Sequence, residues 1–504
     1  MKNVLELLEH SAAKNPQKTA FTCEEKALTY KELLSGAKSI GSALIESFGA
    51  QKLPVAVYLP RGVECLEAMF GVVYSGNFYT VVDYEMPPER IRAVFDTLKP
   101  AAVITDEEGI QKISSLKIET RLFETLVNTP INVALLRAVR EKSIDTDPLY
   151  ALFTSGSTGV PKGAVLNHKN VLSYSQWFVD TFDITEETVF GSQTPFYFSM
   201  SVSDVFGTLR AGATLHIISK KYFSFPMPLL QYLNERQVNT IYWVPSALCI
   251  LANWKALDYL KPEHLKKVLF AGEVMPTKQL NYWIEKLPDV QFANLFGPTE
   301  TTDICTYYVV DRKFLDTETL PIGKACNNCD VFIVNENGAL AKDGEEGELY
   351  ARGSFLAMGY YGNPQKTAEA FVQNPLNPNY PETVYKTGDL VKYNEKGELI
   401  YITRKDFQIK HMGYRIELGE VEAAANSMPR VTACCALFDA VLDKIVLVVT
   451  GKKLSDDEMF TYLKTLLPDY MMPGEIIKIA TMPYNSNGKI DRKWLSANYK
   501  TLKK

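Results

Sequence analysis

The sequence predicts an α/β protein, with a large N-terminal domain built on mainly parallel sheets and a small α+β domain at its C-terminal end. Helix and strand patterns alternate from the N-terminus to about Leu399, which is typical of βα units around a parallel sheet. Short strand patterns dominate after that point. The 504 residues also exceed the roughly 250 to 300 residues at which a single hydrophobic core stops growing. We therefore expect at least two domains.

The first helix and strand of the alternating region have clear local signals. Thr29 followed by Glu32 forms a capping box, which predicts a helix from Tyr30 to about Phe48. The apolar run PVAVYLP that follows is typical of a buried strand. The next predicted elements are the helix Val63–Tyr74, the strand Phe78–Val82, the helix Pro88–Leu98 and the strand AAVIT.

The pattern of predicted helices and strands changes in the C-terminal part. Its predicted strands are ELIYITR, FQIKHMGYRIE, VTACCALF and KIVLVVTG, and its predicted helices are Leu418–Asn426 and Asp456–Leu466. This mixture predicts a small α+β domain. We place the boundary between Arg404 and Asp406, so that residues 1–404 form an N-terminal core and residues 405–504 a C-terminal domain.

Composition narrows the function classes. A formal charge of -5, with no stripe of lysine or arginine, gives no electrostatic reason to expect nucleic acid as a partner. The N-terminal residues have no apolar core of signal-peptide length, and the other apolar stretches are short and interrupted by charge. We expect no membrane association and a cytoplasmic location. The eight scattered cysteines are expected to be reduced thiols.

The segment from Thr154 to Gly163 is the first that indicates chemistry. It follows an apolar strand and contains three glycines, four hydroxyl residues and Lys162. Glycines let backbone amides approach an anion, and hydroxyls and a lysine add donors and charge, so phosphate is the expected guest. A P-loop has its lysine directly after a glycine, whereas here Pro161 intervenes before Lys162. This difference disfavours a kinase or GTPase. Taken alone, the segment is also compatible with a surface hairpin.

Several motifs together resemble the ANL superfamily of adenylate-forming enzymes: acyl-CoA synthetases, peptide-synthetase adenylation domains and luciferases. TSGSTGVPKG resembles the family's signature loop. The other matching segments, in the family's order, are LTYKEL, NLFGPTETT, GELYARG, YKTGD, RKDFQIKHMGYRIELGEVE, LPDYMMP and NGKIDRK. GPTETT, YKTGDL and RIELGEVE are most similar to the stand-alone amino-acid adenylating branch, which includes the D-alanyl carrier protein ligases.

The resemblance implies that ATP and Mg²⁺ are bound. Phe296 would stack on adenine in place of the family's usual tyrosine, Asn294 would face the adenine edge, and Asp389 would bind the ribose hydroxyls with Arg404 nearby. Glu300 would be the magnesium ligand, because magnesium prefers hard oxygen donors. The remaining residues expected to bind the phosphates and nucleotide are Thr154, Ser155, Gly156, Ser157, Thr158, Gly159, Lys162 and Thr299.

The resemblance also implies a mobile C-terminal domain. Lys489 would be the catalytic lysine, whose charge bridges the carboxylate and the α-phosphate in the transition state. Asp406 would be the hinge between an acid-activating and a thiol-acylating pose. Lys410 and Gly413 would line the channel for a phosphopantetheine arm, which a carrier protein would supply in trans. Thr403 replaces the glycine usual before this hinge.

The acid pocket departs from the amino-acid branch at one position. Ser199 stands where the branch has an aspartate that binds the substrate α-ammonium. Because burying an ammonium without a charge partner costs several kcal/mol, we expect an acid other than an ordinary α-amino acid. A hydroxy-aryl acid or a β- or ω-amino acid is favoured, with Asp303 as receiver of a remote amine or hydroxyl. The other predicted lining residues are Phe198, Met200, Ser203, Tyr242, Leu269, Ala271, Gly272, Leu295, Gly297 and Ile304.

Two other functions remain open at this point. An acyl-CoA ligase would share the first half-reaction and transfer the acyl group to free CoA. A non-catalytic nucleotide-binding scaffold would be expected to have damaged motifs, whereas Asp389, Glu300 and Lys489 are all present. Cys326 and Cys329 have the spacing of half a zinc site, but no second pair lies near, and no catalytic role is assigned to His168.

Overall fold

The computed structural model describes residues 1–49, 51–154, 161–316, 318–405, 408–452, 455–484 and 490–502. The chain forms two compact units. One comprises residues 1–84, 99–152 and 163–405, and the other comprises residues 85–98, 153–162 and 406–504. The predicted fold class, a large α/β part and a separate small C-terminal part, is confirmed. The second unit also includes two segments from within the predicted N-terminal domain. The functional division of the chain at residue 404 stays a prediction.

The helices and strands alternate along most of the chain. The α-helices are α1 (Leu5–Lys14), α2 (Tyr30–Phe48), α3 (Val63–Tyr74), α4 (Pro88–Leu98), α5 (Glu107–Ile113), α6 (Phe123–Val127), α7 (Val133–Lys142), α8 (His168–Thr181), α9 (Ser201–Ala211), α10 (Pro226–Glu235), α11 (Pro245–Asn253), α12 (Thr277–Lys286), α13 (Pro364–Ala370), α14 (Leu418–Asn426), α15 (Asp456–Lys464) and α16 (Arg492–Asn498). Short 3₁₀ helices span Ser114–Leu116, Lys220–Ser224, Ala256–Asp258, Thr299–Thr301, Asp469–Met471 and Tyr499–Thr501.

The strands are β1 (Thr19–Cys23), β2 (Lys26–Thr29), β3 (Pro54–Tyr58), β4 (Phe78–Val81), β5 (Ala102–Thr105), β6 (Thr120–Leu122), β7 (Pro148–Thr154), β8 (Lys162–Asn167), β9 (Val189–Ser192), β10 (Thr214–Ile217), β11 (Thr240–Trp243), β12 (Lys267–Ala271), β13 (Gln291–Phe296), β14 (Thr306–Val309), β15 (Lys324–Ala325), β16 (Cys329–Val334), β17 (Gly347–Gly353), β18 (Gly359–Tyr360), β19 (Phe371–Gln373), β20 (Thr383–Tyr393), β21 (Leu399–Arg404), β22 (Gln408–His411), β23 (Tyr414–Glu417), β24 (Val431–Asp439), β25 (Lys444–Gly451) and β26 (Glu475–Lys478).

Local sequence signals account for the first elements. The capping box between Thr29 and Glu32 is present at the start of α2, and Gly49 ends that helix in a left-handed conformation. The observed α3 and α4 have the predicted bounds, and β3 is buried throughout. These predictions are confirmed because each depends on periodicity and capping within one segment.

Three sheets belong to the larger unit. The first has nine strands in the order β15-β14-β13-β12-β11-β9-β10-β1-β2, and its strands from β13 to β1 are parallel. The second has seven strands in the order β18-β8-β7-β4-β3-β5-β6, and the third contains β16, β17, β20, β19 and β21 in antiparallel pairs. One continuous cluster of buried apolar side chains, from Val4 to Leu399, packs this unit.

Two of the buried indoles in this core have their N–H groups satisfied. Trp243 on β11 donates its indole N–H to the carbonyl of Gly191 at 2.7 Å, and Trp283 on α12 donates to Leu248 at 3.0 Å. Both side chains have no exposed surface. Truncating such a residue to alanine costs about 3 to 5 kcal/mol in other proteins. The packing of these side chains therefore stabilises the sheet that carries the candidate site.

The smaller unit contains the predicted C-terminal elements except ELIYITR, which forms β21 in a sheet of the larger unit. The predicted strand FQIKHMGYRIE is two strands rather than one. β22 and β23 form a hairpin, and β24, β25 and β26 form a three-stranded sheet. Helices α14 and α15 contribute Val421 and Met459 to the core cluster on β24 and β25. Of all the helices in the described ranges, none is both long enough and apolar enough to cross a membrane.

Candidate active site

The predicted acid pocket lies at the carboxyl ends of the parallel strands β11, β12 and β13. Tyr242 is in register with Leu269, and Ala271 is in register with Leu295. Side chains two residues apart on a strand share a face, so these four point to the same side of the sheet. Each is at most 1% exposed. The carboxyl edge of a parallel sheet is where open α/β folds bind ligands.

The turn before α9 carries further residues that are predicted to line the pocket. The Ser201 hydroxyl donates to the Phe198 carbonyl at 2.7 Å, and the Val202 amide donates to the Ser199 carbonyl at 2.9 Å. These bonds fix the entry into α9, with Ser203 one helical turn beyond Ser199. Ser199 is partly exposed, whereas Ser203 is completely buried. Met200 and Ile304, also predicted for the lining, are buried as well.

Asp303 is buried and receives hydrogen bonds from several hydroxyl groups. Its Oδ2 accepts from Tyr174 at 3.1 Å, from Ser203 at 3.1 Å and from Tyr242 at 3.0 Å. Burial raises the pKa of Asp303 to about 6, and four hydroxyls oppose that rise: Tyr242, Tyr174, Ser199 and Ser203. The Ser199 hydroxyl therefore lies close to the Asp303 carboxyl.

The backbone around Asp303 is strained. Thr302 has a φ of 70° and a ψ of -54°, and the Asp303 amide donates to the Thr301 carbonyl at 2.8 Å. This is the rare, strained form of the γ-turn, and it is unusual for a β-branched residue. The Thr302 hydroxyl donates to the Phe355 carbonyl at 2.8 Å, which helps to hold the turn.

Gly297 allows the chain to return closely past the end of β13. A Cβ added at Gly297 would lie 2.4 Å from the Asp303 carbonyl oxygen and 2.5 Å from the Cα of Ile304. Backbone atoms cannot yield to such a contact at low cost, so glycine is required here for packing. Gly272, at the end of β12, has a φ of 93°, which other residues rarely adopt.

The two predicted adenine contacts lie on β13. Asn294 and Phe296 alternate with Leu295, so their side chains face the other side of the sheet. The Asn294 amide donates to the carbonyl of Pro321 at 2.8 Å, and the Phe296 ring lies 5.8 Å from the Tyr401 ring. The adenine contacts themselves stay predictions.

Glu300 lies in the 3₁₀ turn that follows β13. Its carboxylate has no exposed surface, and its Oε1 accepts a hydrogen bond from the Tyr360 hydroxyl at 2.6 Å. The neighbouring Thr299 hydroxyl is 3.4 Å from the Ser199 hydroxyl. Carboxylate oxygens are hard donors of the kind that Mg²⁺ prefers. The donor chemistry therefore fits Mg²⁺.

Asp389 and Arg404 are directly paired, in the arrangement that the resemblance implies. They are register partners on β20 and β21, and Arg404 Nη1 donates to Asp389 Oδ1 at 2.9 Å. The same nitrogen donates to the Thr387 carbonyl at 3.0 Å. The two side chains are only 7% and 2% exposed. Arg404 thereby fixes the orientation of the Asp389 carboxylate.

The predicted phosphate loop is described at its two ends. Thr154 ends β7 and Lys162 begins β8, so the segment connects two strands. A P-loop would lead into a helix, so the strand that follows this segment gives no support to the kinase interpretation. The Thr154 hydroxyl is buried and has no hydrogen-bond partner among the described residues. Ser155, Gly156, Ser157, Thr158 and Gly159 lie outside the described residues.

The predicted thiol-channel residues lie on the β22–β23 hairpin. Lys410 is in β22, and Met412 and Gly413 form the two-residue loop, with φ of 52° and 79°. Two positive φ angles are typical of a type I′ turn, and this turn gives Gly413 a structural reason to be glycine. The hinge residue Asp406 and the catalytic Lys489 lie outside the described residues.

Comparison with known proteins settles the family. The model of the AMP-binding enzyme family matches residues 8–361. The chain belongs to this family of AMP-binding enzymes. The predicted membership of the adenylate-forming ligases is therefore confirmed.

Relatives of this AMP-binding enzyme include proteins of the predicted branch. The chain is 31% identical over 518 residues to the D-alanine--D-alanyl carrier protein ligase of Bacillus cereus (strain G9842), covering 98% of both chains. It is 30% identical over 501 residues to tyrocidine synthase 1 of Brevibacillus parabrevis, and it spans 45% of that longer protein. The Vibrio cholerae adenylation domain AlmE, solved with glycyl-adenosine-5'-phosphate, has the same fold, with a TM-score of 0.84, 22% identity and coverage of 99% of this chain and 98% of that one.

Sequence reasoning missed Tyr174, Arg61 and Asp204 of this AMP-binding enzyme. The Arg61 guanidinium donates to the carbonyls of Thr194, Ile218 and Ser192 at 3.0, 2.7 and 2.9 Å. Asp204, on α9 next to Ser203, is 1% exposed, and burial raises its pKa to about 7. Asp204 directly follows Ser203, which was predicted to line the pocket. A charged residue inside an apolar helix pattern was the signal that could have identified it.

Two features that the sequence analysis set aside are buried. Cys326 and Cys329 are 1% and 8% exposed, and burial raises the pKa of both thiols, which disfavours the thiolates that zinc binding needs. His168 starts α8 at 4% exposure, and burial lowers its pKa to about 4. Its ring lies 3.4 Å from the Asn3 amide nitrogen. These contacts are consistent with packing roles.

Proposed function

We propose that this chain couples ATP to a small carboxylic acid and then passes the acyl group to the phosphopantetheine thiol of a separate carrier protein. The observation that carries this proposal is the alignment with a carrier protein ligase over 98% of both chains. The buried Asp389–Arg404 pair supports it, because the carboxylate that would bind ribose is held ready by a fixed partner.

In the first half-reaction, a carboxylate oxygen of the acid attacks the α-phosphorus of ATP. The bond to pyrophosphate breaks, and an acyl-adenylate forms. Asp389 would accept hydrogen bonds from the ribose hydroxyls, and Phe296 would stack on adenine. Glu300 would hold Mg²⁺, which reduces the negative charge of the ATP phosphates when bound. In the second half-reaction, the thiol sulfur attacks the acyl carbonyl, and AMP leaves.

Lys489 would stabilise the first transition state. The attacking carboxylate and the α-phosphate are both anions, so a positive charge between them lowers the barrier. The variant Lys489→Ala should abolish adenylation, while ATP binding and transfer from preformed acyl-adenylate stay largely intact. Lys464→Ala is a matched control, because Lys464 is an exposed lysine at the end of α15. Undiminished pyrophosphate exchange by Lys489→Ala would contradict the assigned role.

The two half-reactions would use different poses of the C-terminal residues 405–504. Asp406 would act as the hinge, and Lys410 and Gly413 would line the path of the thiol arm in the second pose. A direct test replaces Asp406 with proline and measures the two half-reactions separately. Because proline fixes φ near about -65°, the variant should favour one pose and impair one half-reaction more than the other. Equal loss of both would argue against the hinge.

We also propose that the acid lacks an ordinary α-ammonium group. Ser199 is neutral, and a hydroxyl cannot compensate a buried ammonium as a carboxylate does. A hydroxy-aryl acid or a β- or ω-amino acid fits better. Pyrophosphate exchange with a panel of acids tests this, and robust turnover of plain L- or D-α-amino acids would contradict it. Supplying the wild-type enzyme with free CoA or with a phosphopantetheinylated carrier then separates a CoA ligase from a carrier protein ligase.

A further inference from the structure

The Arg61 side chain holds the carboxyl ends of two neighbouring strands. Arg61 lies in the loop between β3 and α3, and its guanidinium donates to the carbonyls of Ser192 at 2.9 Å and Ile218 at 2.7 Å. Ser192 ends β9, and Ile218 directly follows β10, which pairs with β9 in parallel. A third hydrogen bond, 3.0 Å long, runs to the carbonyl of Thr194. One side chain therefore fixes both strand ends and the start of the segment that leaves β9.

The arrangement of these acceptors requires an arginine. The three carbonyls accept from three different nitrogen atoms, Nε, Nη1 and Nη2. A guanidinium presents its donors in a rigid planar fork, whereas a lysine has all its donors on one nitrogen atom. The Phe196 ring also lies 5.6 Å from the guanidinium carbon of Arg61, within the range of a cation–π contact. A lysine in this place would keep the charge but lose most of the hydrogen bonds.

The segment that Arg61 holds continues directly into the turn before α9. Thr194 is followed by Pro195, whose carbonyl accepts from the Phe198 amide at 3.1 Å. The Phe198 carbonyl accepts in turn from the amide of Ser201 at 3.1 Å, where α9 begins. Residues 198–200, which are predicted to line the acid pocket, lie in this turn. Because the turn begins at the residue after Thr194, a displacement of Thr194 displaces these lining residues too.

Ser192 links Arg61 to two further parts of the predicted pocket. It is the register partner of Tyr242 on β11, and the Tyr242 hydroxyl donates to Asp303 at 3.0 Å. The Ser192 hydroxyl itself lies 3.4 Å from Arg61 Nη2. Burial raises the pKa of Asp204 to about 7, and the Ser192 hydroxyl opposes that rise, so this hydroxyl also lies beside the Asp204 carboxyl on α9. The end of β9 is therefore connected both to the strand and to the helix that carry predicted lining residues.

We propose that Arg61 is a positioning residue for the acid pocket. By holding three carbonyls at the ends of β9 and β10, it sets where residues 198–200 lie relative to β11. This inference rests on the proposed acid-activating function, and it assigns Arg61 no contact with the acid or with ATP. The predicted adenine and ribose contacts, Phe296 and Asp389, lie on β13 and β20. The loss of Arg61 should therefore impair use of the acid much more than binding of ATP.

Arg210 offers a matched control on the same helix. Like Arg61 it is partly buried, and its guanidinium donates to the side chains of Ser175 at 3.1 Å and Gln176 at 2.6 Å and to the carbonyl of Leu172 at 2.7 Å. Arg210 lies in the last turn of α9, about 13 Å along the helix from its first residue. Arg210→Lys therefore loses a similar number of hydrogen bonds in the same unit without releasing the turn before α9.

The kinetic test compares Arg61→Lys, Arg61→Gln and Arg210→Lys in ATP–pyrophosphate exchange, with 3-aminopropanoate and 3-hydroxybenzoate as the acids. Both Arg61 variants should lower kcat/KM for the acid by about 10- to 100-fold, because a misplacement of about 1 Å can cost about 100-fold. KM for ATP should stay within about threefold of wild type in all three variants. Arg210→Lys should also leave kcat/KM for the acid within about threefold. Arg61→Lys and Arg61→Gln should behave alike, because neither keeps the three hydrogen bonds.

Amide hydrogen exchange gives a readout that needs no substrate. The Phe198 and Val202 amides donate hydrogen bonds within the turn before α9. Their exchange should be at least about 10-fold faster in Arg61→Lys than in wild type, and it should be unchanged in Arg210→Lys. Equal protection of these amides in Arg61→Lys and wild type would overturn the inference.

Two kinetic outcomes would overturn it as well. If Arg61→Lys raises KM for ATP as much as it lowers kcat/KM for the acid, Arg61 has only a general structural role. If Arg61→Lys keeps full activity, the charge alone matters and the three hydrogen bonds do not. Failure of the proposed function has a different signature, because folded wild-type enzyme would then exchange pyrophosphate with no acid. Amide exchange in that case still decides whether Arg61 orders the turn.

Discussion

Replacing Asp204 with asparagine removes a carboxylate that is only 1% exposed. Burial raises the pKa of Asp204 to about 7, and the Ser192 hydroxyl and the Arg61 guanidinium lower it only in part. The folded protein therefore binds this proton more tightly than the unfolded chain does. The carboxyl favours folding most at low pH, and its contribution is lost as the pH rises through about 7.

The size of the effect follows from the two pKa values. The difference between the ordinary value of 3.8 and about 7 for Asp204 corresponds to about 4 kcal/mol over the full pH range. About half of this change in the free energy of unfolding occurs below about pH 5.5. Between about pH 5.5 and about pH 8.5, the wild-type protein should lose about 2 kcal/mol of stability that Asp204→Asn keeps.

Urea unfolding at the two pH values measures this difference. Trp177, Trp243 and Trp283 are at most 2% exposed in the same unit as Asp204, so their fluorescence reports the unfolding of that unit. The amide introduced by the substitution does not titrate, so its own effect on stability is similar at both pH values and cancels in the comparison.

A control separates this effect from general changes in charge. Asp289→Asn removes an exposed carboxylate and should shift stability equally at both pH values. Equal stability differences between wild type and Asp204→Asn at about pH 5.5 and about pH 8.5 would refute the reasoning, because the carboxyl would then titrate alike in the folded and unfolded chains.

Three further predictions concern local features. Asp389→Asn should raise the KM for ATP about 10- to 100-fold and remove the preference for ATP over 2'-deoxy-ATP in pyrophosphate exchange, and a preserved preference would argue against ribose binding. Thr302→Gly and Thr302→Val both lose the hydrogen bond to Phe355, but only glycine also relieves the strained γ-turn. In thermal unfolding, Thr302→Gly should therefore be more stable than Thr302→Val by about 1 to 3 kcal/mol. Gly413→Ala should destabilise the β22–β23 hairpin by about 1 to 2 kcal/mol in amide exchange, with Gly413→Asn milder, and unchanged protection would contradict the positive φ.

Much of the fold was predictable from the sequence because its signals are local. The capping box at Thr29, the bounds of α3 and α4 and the strands of the C-terminal part depend on periodicity and on residues a few positions apart. The family was predictable for a related reason. Each motif is a short segment whose residue types suit one chemical task, and their order along the chain is visible without coordinates.

The environment of Asp303 was decided only by tertiary structure. The sequence placed this residue in the pocket, but Tyr174 and Tyr242, which hydrogen bond to it, lie 129 and 61 positions away. The strain at Thr302 and the close approach at Gly297 are equally invisible in the sequence. A pKa depends on how completely water is excluded and on which dipoles surround the group, and both are properties of packing between distant segments. The sequence by itself therefore predicted Asp303 as an acid of the pocket lining, whereas the packing decided that it is a buried acid held by hydroxyls.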